Sequence, residues 1–148
     1  GKRLYVSGGA SGDLHVFKYD QGKLTPLPTH KVARKGVQAF VSGIAVHPEN
    51  GNLYVCNEAN NEVWVLDGKT LAVEQTIDVG PHPHSCLFGA DKRHLYVTNW
   101  GARSVSVVAR KSRLNWQRPG TTLMEPLGTC SWPIVATESP SWAARCSM

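Results

Sequence analysis

Apolar residues alternate with polar ones along three stretches of the chain, and each stretch predicts two short β-strands joined by a polar turn. In residues 95–108 the apolar side chains recur every second residue on both sides of the turn, as Leu95 and Val97 do before it. A period of two is typical of a strand with one buried face. The same pattern occurs in residues 53–66 and in residues 4–17.

The recurrence of these strand pairs predicts a repeat protein. Each pair begins with the triplet Leu-Tyr-Val, at residues 4, 53 and 95, so the spacings are 49 and 42 residues. Repeats of about 40–45 residues with four strands each are typical of β-propeller blades. We therefore predict an all-β fold, a partial β-propeller of about two and a half four-stranded antiparallel blades. The blades are expected at about residues 1–36, 39–80 and 81–108.

The strand pattern is expected to end at Val108. Residues 109–148 hold three of the five tryptophans and four prolines without any period, so we predict an irregular or disordered tail. One hypothesis is that this tail is translated out of frame from a gene that encodes further blades; the alternative is a genuine but irregular C-terminal extension. In either case we expect a piece of a larger protein, because a propeller needs at least four blades to close.

Charge and hydropathy exclude two classes of partner. The net charge is +5; residues 1–108 carry 11 Lys/Arg and 9 Asp/Glu, and residues 109–148 carry 5 and 2. Neither part has the basic stripe that nucleic acid requires, and no apolar run is long enough to predict a membrane span. Cys56 and Cys86 lie within strand patterns, where free thiols act as small apolar side chains.

The most suggestive cluster for chemistry is His82-Pro83-His84-x-Cys86, which leads into the inner strand of the third blade. Residues two apart in an extended segment project to one side, and imidazole and thiolate are ligands for zinc or copper. No fourth ligand is evident, and the equivalent positions of the preceding blade hold neither histidine nor cysteine. We therefore predict no metal site, and we expect His82 and His84 to contact a ligand at the channel mouth.

Sequence motifs for catalysis or for cofactors are absent from the chain. It contains no nucleophile elbow, no phosphate-binding loop followed by a helix, and no His-Glu-x-x-His segment. We therefore predict no catalytic residue and no cofactor. The expected partner is an unidentified protein or small ligand at the channel mouth, together with the remaining blades of the ring.

The segment Leu95-Tyr96-Val97-Thr98-Asn99 and its two copies resemble the YVTN-repeat β-propeller family. That resemblance covers residues 1–108 and implies an exported bacterial protein, periplasmic or secreted, of the kind that is also found fused to alkaline-phosphatase-like phosphoesterase domains. It implies a non-catalytic binding or scaffold propeller, in which any hydrolysis belongs to an attached domain or to further blades.

The alternative is an enzyme. Residues 12–25 resemble the first blades of the 6-phosphogluconolactonase-type propellers, in which acidic and basic groups from several blades surround the channel. The predicted inner strands, residues 43–46 and 85–88, carry no such set of side chains. This absence favours the binding module over the lactonase at the level of sequence.

Overall fold

Three antiparallel sheets make up the part of the chain that the computed structural model describes, which comprises residues 2–32, 36–112, 115–116 and 120–123. Each sheet forms one propeller blade. Blade 1 consists of β1 (Arg3–Ser7), β2 (Asp13–Asp20), β3 (Lys23–Pro26) and β4 (His30–Lys31). Blade 2 consists of β5 (Val41–Val46), β6 (Leu53–Asn57), β7 (Glu62–Leu66) and β8 (Val73–Asp78). Blade 3 consists of β9 (Pro83–Phe88), β10 (His94–Asn99), β11 (Ser104–Ser112), β12 (Asn115–Trp116) and β13 (Gly120–Leu123).

Consecutive strands pair in order from the innermost β5 to the outermost β8 in blade 2, from β9 to β12 in blade 3 and from β1 to β3 in blade 1, whereas β4 pairs with β2 and β13 pairs with β11. Tight turns join them, and a short 3-10 turn, Trp100–Ala102, lies between β10 and β11. The predicted all-β partial propeller is confirmed. Within the described residues, no helix is long and apolar enough to cross a membrane.

The middle strands of blade 2, β6 and β7, are buried on both faces, which explains why they are apolar at nearly every position. Leu53 and Val55 of β6 belong to the apolar cluster shared with blade 1. Tyr54 and Cys56, the alternate residues of the same strand, belong to the cluster shared with blade 3. Side chains on a strand point alternately to its two faces, so one strand contributes to both blade interfaces. Trp64 of β7 is fully buried at the first of these interfaces.

The structure corrects the expectation that the strand pattern ends at Val108. β11 continues to Ser112, and the backbone of β13 pairs with residues 104–107, from Ser104 opposite Leu123 to Val107 opposite Gly120. Main-chain pairing uses N–H and C=O groups and needs no apolar alternation, so the sequence pattern does not indicate this strand. Residues 124–148 of the predicted tail lie outside the described residues, and the domain boundary at 108 stays a prediction.

Candidate functional site at the blade rim

The inner strands of blades 2 and 3 each carry a β-bulge at the same position of the repeat. In blade 3, Asn99 pairs with Pro83 and the adjacent Thr98 pairs with Ser85, so His84 is the additional residue. In blade 2 the register between β5 and β6 shifts in the same way between Val41 and Ile44. A bulge bends its strand and changes the direction of the side chains that it carries, and bulges occur often beside binding sites.

Ser42 and His84 occupy equivalent positions, because residues 37–66 align with residues 79–108 without a gap. Ser42 is used inside the fold: its Oγ donates a hydrogen bond to the carbonyl of Pro83, at 3.1 Å, and so joins the two inner strands. His84, by contrast, is exposed. The repeat therefore needs a small polar side chain at this position in blade 2, and presents an imidazole to solvent in blade 3.

The two inner strands approach each other most closely at Gly43. A Cβ atom there would lie 2.6 Å from the carbonyl oxygen of His84 and 2.7 Å from the Cα of Ser85. Both are main-chain atoms, which cannot rotate away as the end of a side chain can. Glycine at this position thus fixes the separation of the inner strands beside the His84 bulge.

The segment before the bulge is held by hydrogen bonds from both sides. Asn61, in the turn between β6 and β7, accepts a hydrogen bond on Oδ1 from the amide of His82, at 2.9 Å. On the other side, the amide of Trp100 donates to the carbonyl of His82 at 2.9 Å, and that of Gly101 to Pro81 at 3.2 Å. His82 and Asn61 both have left-handed backbone conformations, with φ of 51° and 57°. Non-glycine residues adopt this region at a cost, which these hydrogen bonds offset.

An asparagine ends the second strand of each of blades 2 and 3, yet the two side chains bond differently. Asn57 Oδ1 accepts from the amide of Phe40 at 2.9 Å. The equivalent amide in blade 3, that of His82, bonds to Asn61 instead, and Asn99 Oδ1 is buried without a hydrogen-bond partner among the described residues. Asn99 Nδ2 still donates to the hydroxyls of Ser104 and Ser106. The His82 amide is therefore bonded to the turn of blade 2 rather than to the asparagine of its own blade.

His84 has two neighbours that bear on its chemistry. Its Nδ1 lies 3.2 Å from the hydroxyl oxygen of Ser85. Its ring also meets the indole of Trp100, with the ring centroids 6.4 Å apart and the planes inclined at 69°. Trp100 is 76% exposed, more than any other large apolar side chain of the described residues. The rim formed by Asn61, His82, His84 and Trp100 thus presents an imidazole beside an uncovered aromatic ring.

The two predicted site histidines differ in their freedom. The ring of His82 lies over Gly101, where a Cβ atom would come within 2.5 Å of the histidine Cδ2. Its imidazole therefore packs on the Trp100–Ala102 turn, whereas that of His84 is free to meet a ligand. The structure brings both to the rim, and their contact with a ligand stays a prediction.

The expectation that His82, His84 and Cys86 project to one side does not hold, because the bulge at His84 interrupts the alternation. Cys86 turns into the interface between blades 2 and 3, where its thiol donates to the carbonyl of Tyr54 at 3.4 Å. A hydrogen bond with the Cys86 thiol, together with burial, raises the pKa of Cys56. Both cysteines are free, as expected. The described residues contain no group of three side chains that could hold a metal ion.

Sequence reasoning missed Trp100 and Asn61 as members of this rim. Both lie in polar turns, where packing and turn formation explain them without a ligand. The one signal in the sequence is that Trp100 occupies a position held by Glu58 in blade 2 and Gly9 in blade 1. A large aromatic residue at a position that is acidic or glycine in the other repeats indicates a role specific to blade 3.

Antiparallel sheets of four or five strands, stacked through shared apolar interfaces, define the class: this is a β-propeller. The family follows from comparison with known proteins. Residues 1–118 match the model of the lactonase family described as a seven-bladed β-propeller, and the chain belongs to that family. The match identifies the lactonase family and does not identify the YVTN-repeat family. The prediction of a non-catalytic scaffold propeller is wrong, because the family match and the gluconolactonase neighbours favour the lactonase alternative.

Relatives extend well beyond the length of this chain. Antigen Lp49 of Leptospira interrogans serogroup Icterohaemorrhagiae serovar copenhageni is 34% identical over 103 residues, which are 68% of this chain and 22% of the antigen. The periplasmic gluconolactonase of Pseudomonas aeruginosa superposes with a TM-score of 0.68 at 23% identity, over 83% of this chain and 37% of the enzyme. A putative 6-phosphogluconolactonase of Bacteroides fragilis gives 0.62 at 23% identity, over 75% and 32%. The chain thus spans between about a fifth and two fifths of these proteins.

Proposed function

We propose that these blades belong to a propeller hydrolase that opens the lactone ring of a sugar acid, with His84 as the general base. The observation that carries the proposal is the exposed His84 on the rim bulge, in a chain of the lactonase family. The substrate class is supported by the gluconolactonase and the putative 6-phosphogluconolactonase among the fold neighbours.

The contact between His84 and Ser85 suits this role. When Nδ1–H of His84 donates to the Ser85 hydroxyl, at 3.2 Å, Nε2 is left as a proton acceptor. Ser85 then acts as the positioning residue that fixes the tautomer and the direction of the ring. This arrangement follows the general rule that a catalytic imidazole is oriented through its second nitrogen.

The reaction proceeds in two steps. Nε2 takes a proton from water while the water oxygen bonds to the lactone carbonyl carbon, and the carbonyl electron pair moves to its oxygen. The tetrahedral intermediate then re-forms the carbonyl and breaks the bond to the ring oxygen, which takes the proton back from the imidazolium of His84. The sum is one lactone and one water giving one open-chain hydroxy acid, and the histidine is regenerated.

The remaining blades of a seven-bladed ring would supply the groups that stabilise the oxyanion.

We further infer a location outside the cytoplasm, in the periplasm or secreted, which is supported by the periplasmic gluconolactonase among the fold neighbours and by the resemblance of Leu95–Asn99 to repeats of exported propellers. Cell fractionation with antibodies against the protein tests that location, and recovery in the cytoplasmic fraction would overturn it.

The test is ring opening of D-glucono-δ-lactone by the full ring in which these blades occur, followed in a pH-stat above the spontaneous rate. His84→Asn should lower kcat about 100- to 10,000-fold, the range for loss of a general base. His30→Asn, a histidine of β4 in blade 1, is the matched control and should stay within about twofold of the wild type. If the wild-type ring does not accelerate the opening of any sugar lactone, the proposal is wrong.

A further inference from the structure

Trp100 is held rigidly and yet left uncovered. Its amide donates to the carbonyl of His82 at 2.9 Å, and the amide of the next residue, Gly101, donates to Pro81 at 3.2 Å. These two hydrogen bonds lock the turn to the connection that precedes the His84 bulge. The indole itself is 76% exposed. An aromatic ring that is uncovered beside polar groups offers a ligand an apolar face to pack on.

Packing between blades does not account for this tryptophan. The inter-blade packing position of the Leu-Tyr-Val triplet, held by Val55 in blade 2 and Val97 in blade 3, is apolar in both blades. The position of Trp100 is held by Glu58 in blade 2, although the backbone is bonded in the same way there: the amide of Glu58 donates to Phe40, at 3.0 Å. The repeat therefore requires the backbone hydrogen bond at this position and not the aromatic side chain.

The neighbourhood of the indole combines an aromatic ring with hydrogen-bonding groups. His84 lies with its ring centroid 6.4 Å from that of Trp100, and the hydroxyl of Ser85 lies beside the His84 imidazole. Sugar rings have one face of C–H groups and a rim of hydroxyls. The negative face of an aromatic ring attracts C–H groups, which carry partial positive charge, and sites for small molecules combine such aromatic walls with a few polar groups.

We propose that Trp100 is a stacking platform for the C–H face of a sugar ring, and that it directs the site toward sugar lactones and against simple aliphatic ones. This inference rests on the proposed function for its substrate class. Stacking on Trp100 places the ring beside His84, so the platform both binds the sugar and sets the distance from its lactone carbonyl to the general base. Trp100 is in this sense a specificity-determining residue.

Two measurements on the full ring separate this proposal from the proposed function. The first is the affinity for D-glucono-δ-lactam, a sugar lactam that resists hydrolysis, measured by calorimetry. Trp100→Ala should weaken it about tenfold or more, and Trp100→Phe should recover most of the loss. Tyr19→Ala removes another exposed aromatic, 48% exposed at the end of β2 in blade 1, and should leave the affinity unchanged.

The second measurement is the ratio of kcat/KM for D-glucono-δ-lactone to that for δ-valerolactone, which has no hydroxyls and no sugar face. Trp100→Ala should lower this ratio about tenfold, mainly through KM for the sugar lactone. If Trp100→Ala changes neither hydrolysis nor lactam affinity, the proposal of a stacking platform is wrong, while the proposed lactonase function stands. Lactam binding that depends on Trp100 without any hydrolysis would overturn the lactonase and support the platform.

Discussion

Replacing Gly43 by alanine tests the close approach of the inner strands. The added Cβ would lie 2.6 Å from the carbonyl oxygen of His84 and 3.2 Å from the amide nitrogen of Cys86. An ordinary carbon–oxygen contact is at about 3.4 Å or more, so the strands must separate by roughly 0.8 Å, and no side chain can move aside instead. Gly43 is not among the residues with positive φ, so alanine meets no backbone strain there and the cost is steric.

We expect Gly43→Ala to lower the free energy of unfolding by about 1–3 kcal/mol, the usual range for overpacking. Against this stands a gain of about 0.4–1 kcal/mol from the less flexible unfolded chain. Gly89→Ala is the matched control: it also lacks positive φ, and its Cβ would meet side-chain atoms of Asp91 and Tyr96 at 3.1 Å and a main-chain atom, the carbonyl oxygen of His94, at an ordinary 3.7 Å. It should stay within about 1 kcal/mol of the wild type. The assay is urea unfolding of the chain, followed by intrinsic fluorescence. If Gly43→Ala proves as stable as Gly89→Ala, the inner strands are not packed as described.

Three further predictions concern the rim and the turns. Asn61→Ala, which removes the acceptor for the His82 amide and places alanine at φ 57°, should cost about 1–2 kcal/mol in urea unfolding, whereas Asn61→Asp keeps the acceptor and should cost less than about 0.5 kcal/mol. Hydrogen bonds from the amide of Arg93 and from the side chain and amide of His94 lower the pKa of Asp91 to about 2. The ionised Asp91 therefore stabilises the folded state fully above the ordinary pKa of 3.8, and this contribution is lost as the pH falls toward 2. Between pH 5 and pH 2.5 the unfolding midpoint of Asp91→Asn should accordingly fall less than that of the wild type. Because its pKa is raised, the Cys56 thiol should resist iodoacetamide at pH 8 in the folded protein and react in urea, as followed by peptide mass spectrometry; equal rates in the two conditions would contradict its burial.

The sequence predicts the blades well, because blade packing leaves a signal in each strand by itself. The pattern in residues 53–66 corresponds to β6 and β7, whose residues face apolar interfaces on both sides. The Leu-Tyr-Val triplets locate β1, β6 and β10, of which β6 meets the neighbouring blades through both faces. Strand β13 pairs with β11 through its backbone, and main-chain pairing leaves no apolar period in the sequence.

The rim could not be predicted in the same way, because its geometry depends on pairs of segments. A bulge is a mismatch in register between two strands: here β9 advances by two residues where β10 advances by one. The hydrophobic period of either strand alone does not reveal such a mismatch. The hydrogen bond from His82 to Asn61 joins residues 21 apart, and it depends on how blade 3 sits against the turn of blade 2. The sequence located both histidines, which are both exposed, and it could not show that the His82 ring packs over Gly101 while the His84 ring meets Trp100.

The comparison between blades explains how one repeat can be structural and its neighbour functional. The bulge, the asparagine that ends the second strand and the amide-to-carbonyl bond of the following turn occur in both blade 2 and blade 3. The side chains on this common backbone differ between the blades. Ser42 of blade 2 joins two strands, whereas the equivalent His84 of blade 3 faces solvent. Glu58 of blade 2 is replaced in blade 3 by an exposed Trp100. Because the backbone is already stabilised by the repeat, these substitutions add an imidazole and an aromatic surface without a new fold. A site of this kind is therefore found by asking where equivalent positions differ, and two such differences, Ser42 against His84 and Glu58 against Trp100, lie together at the rim of blade 3.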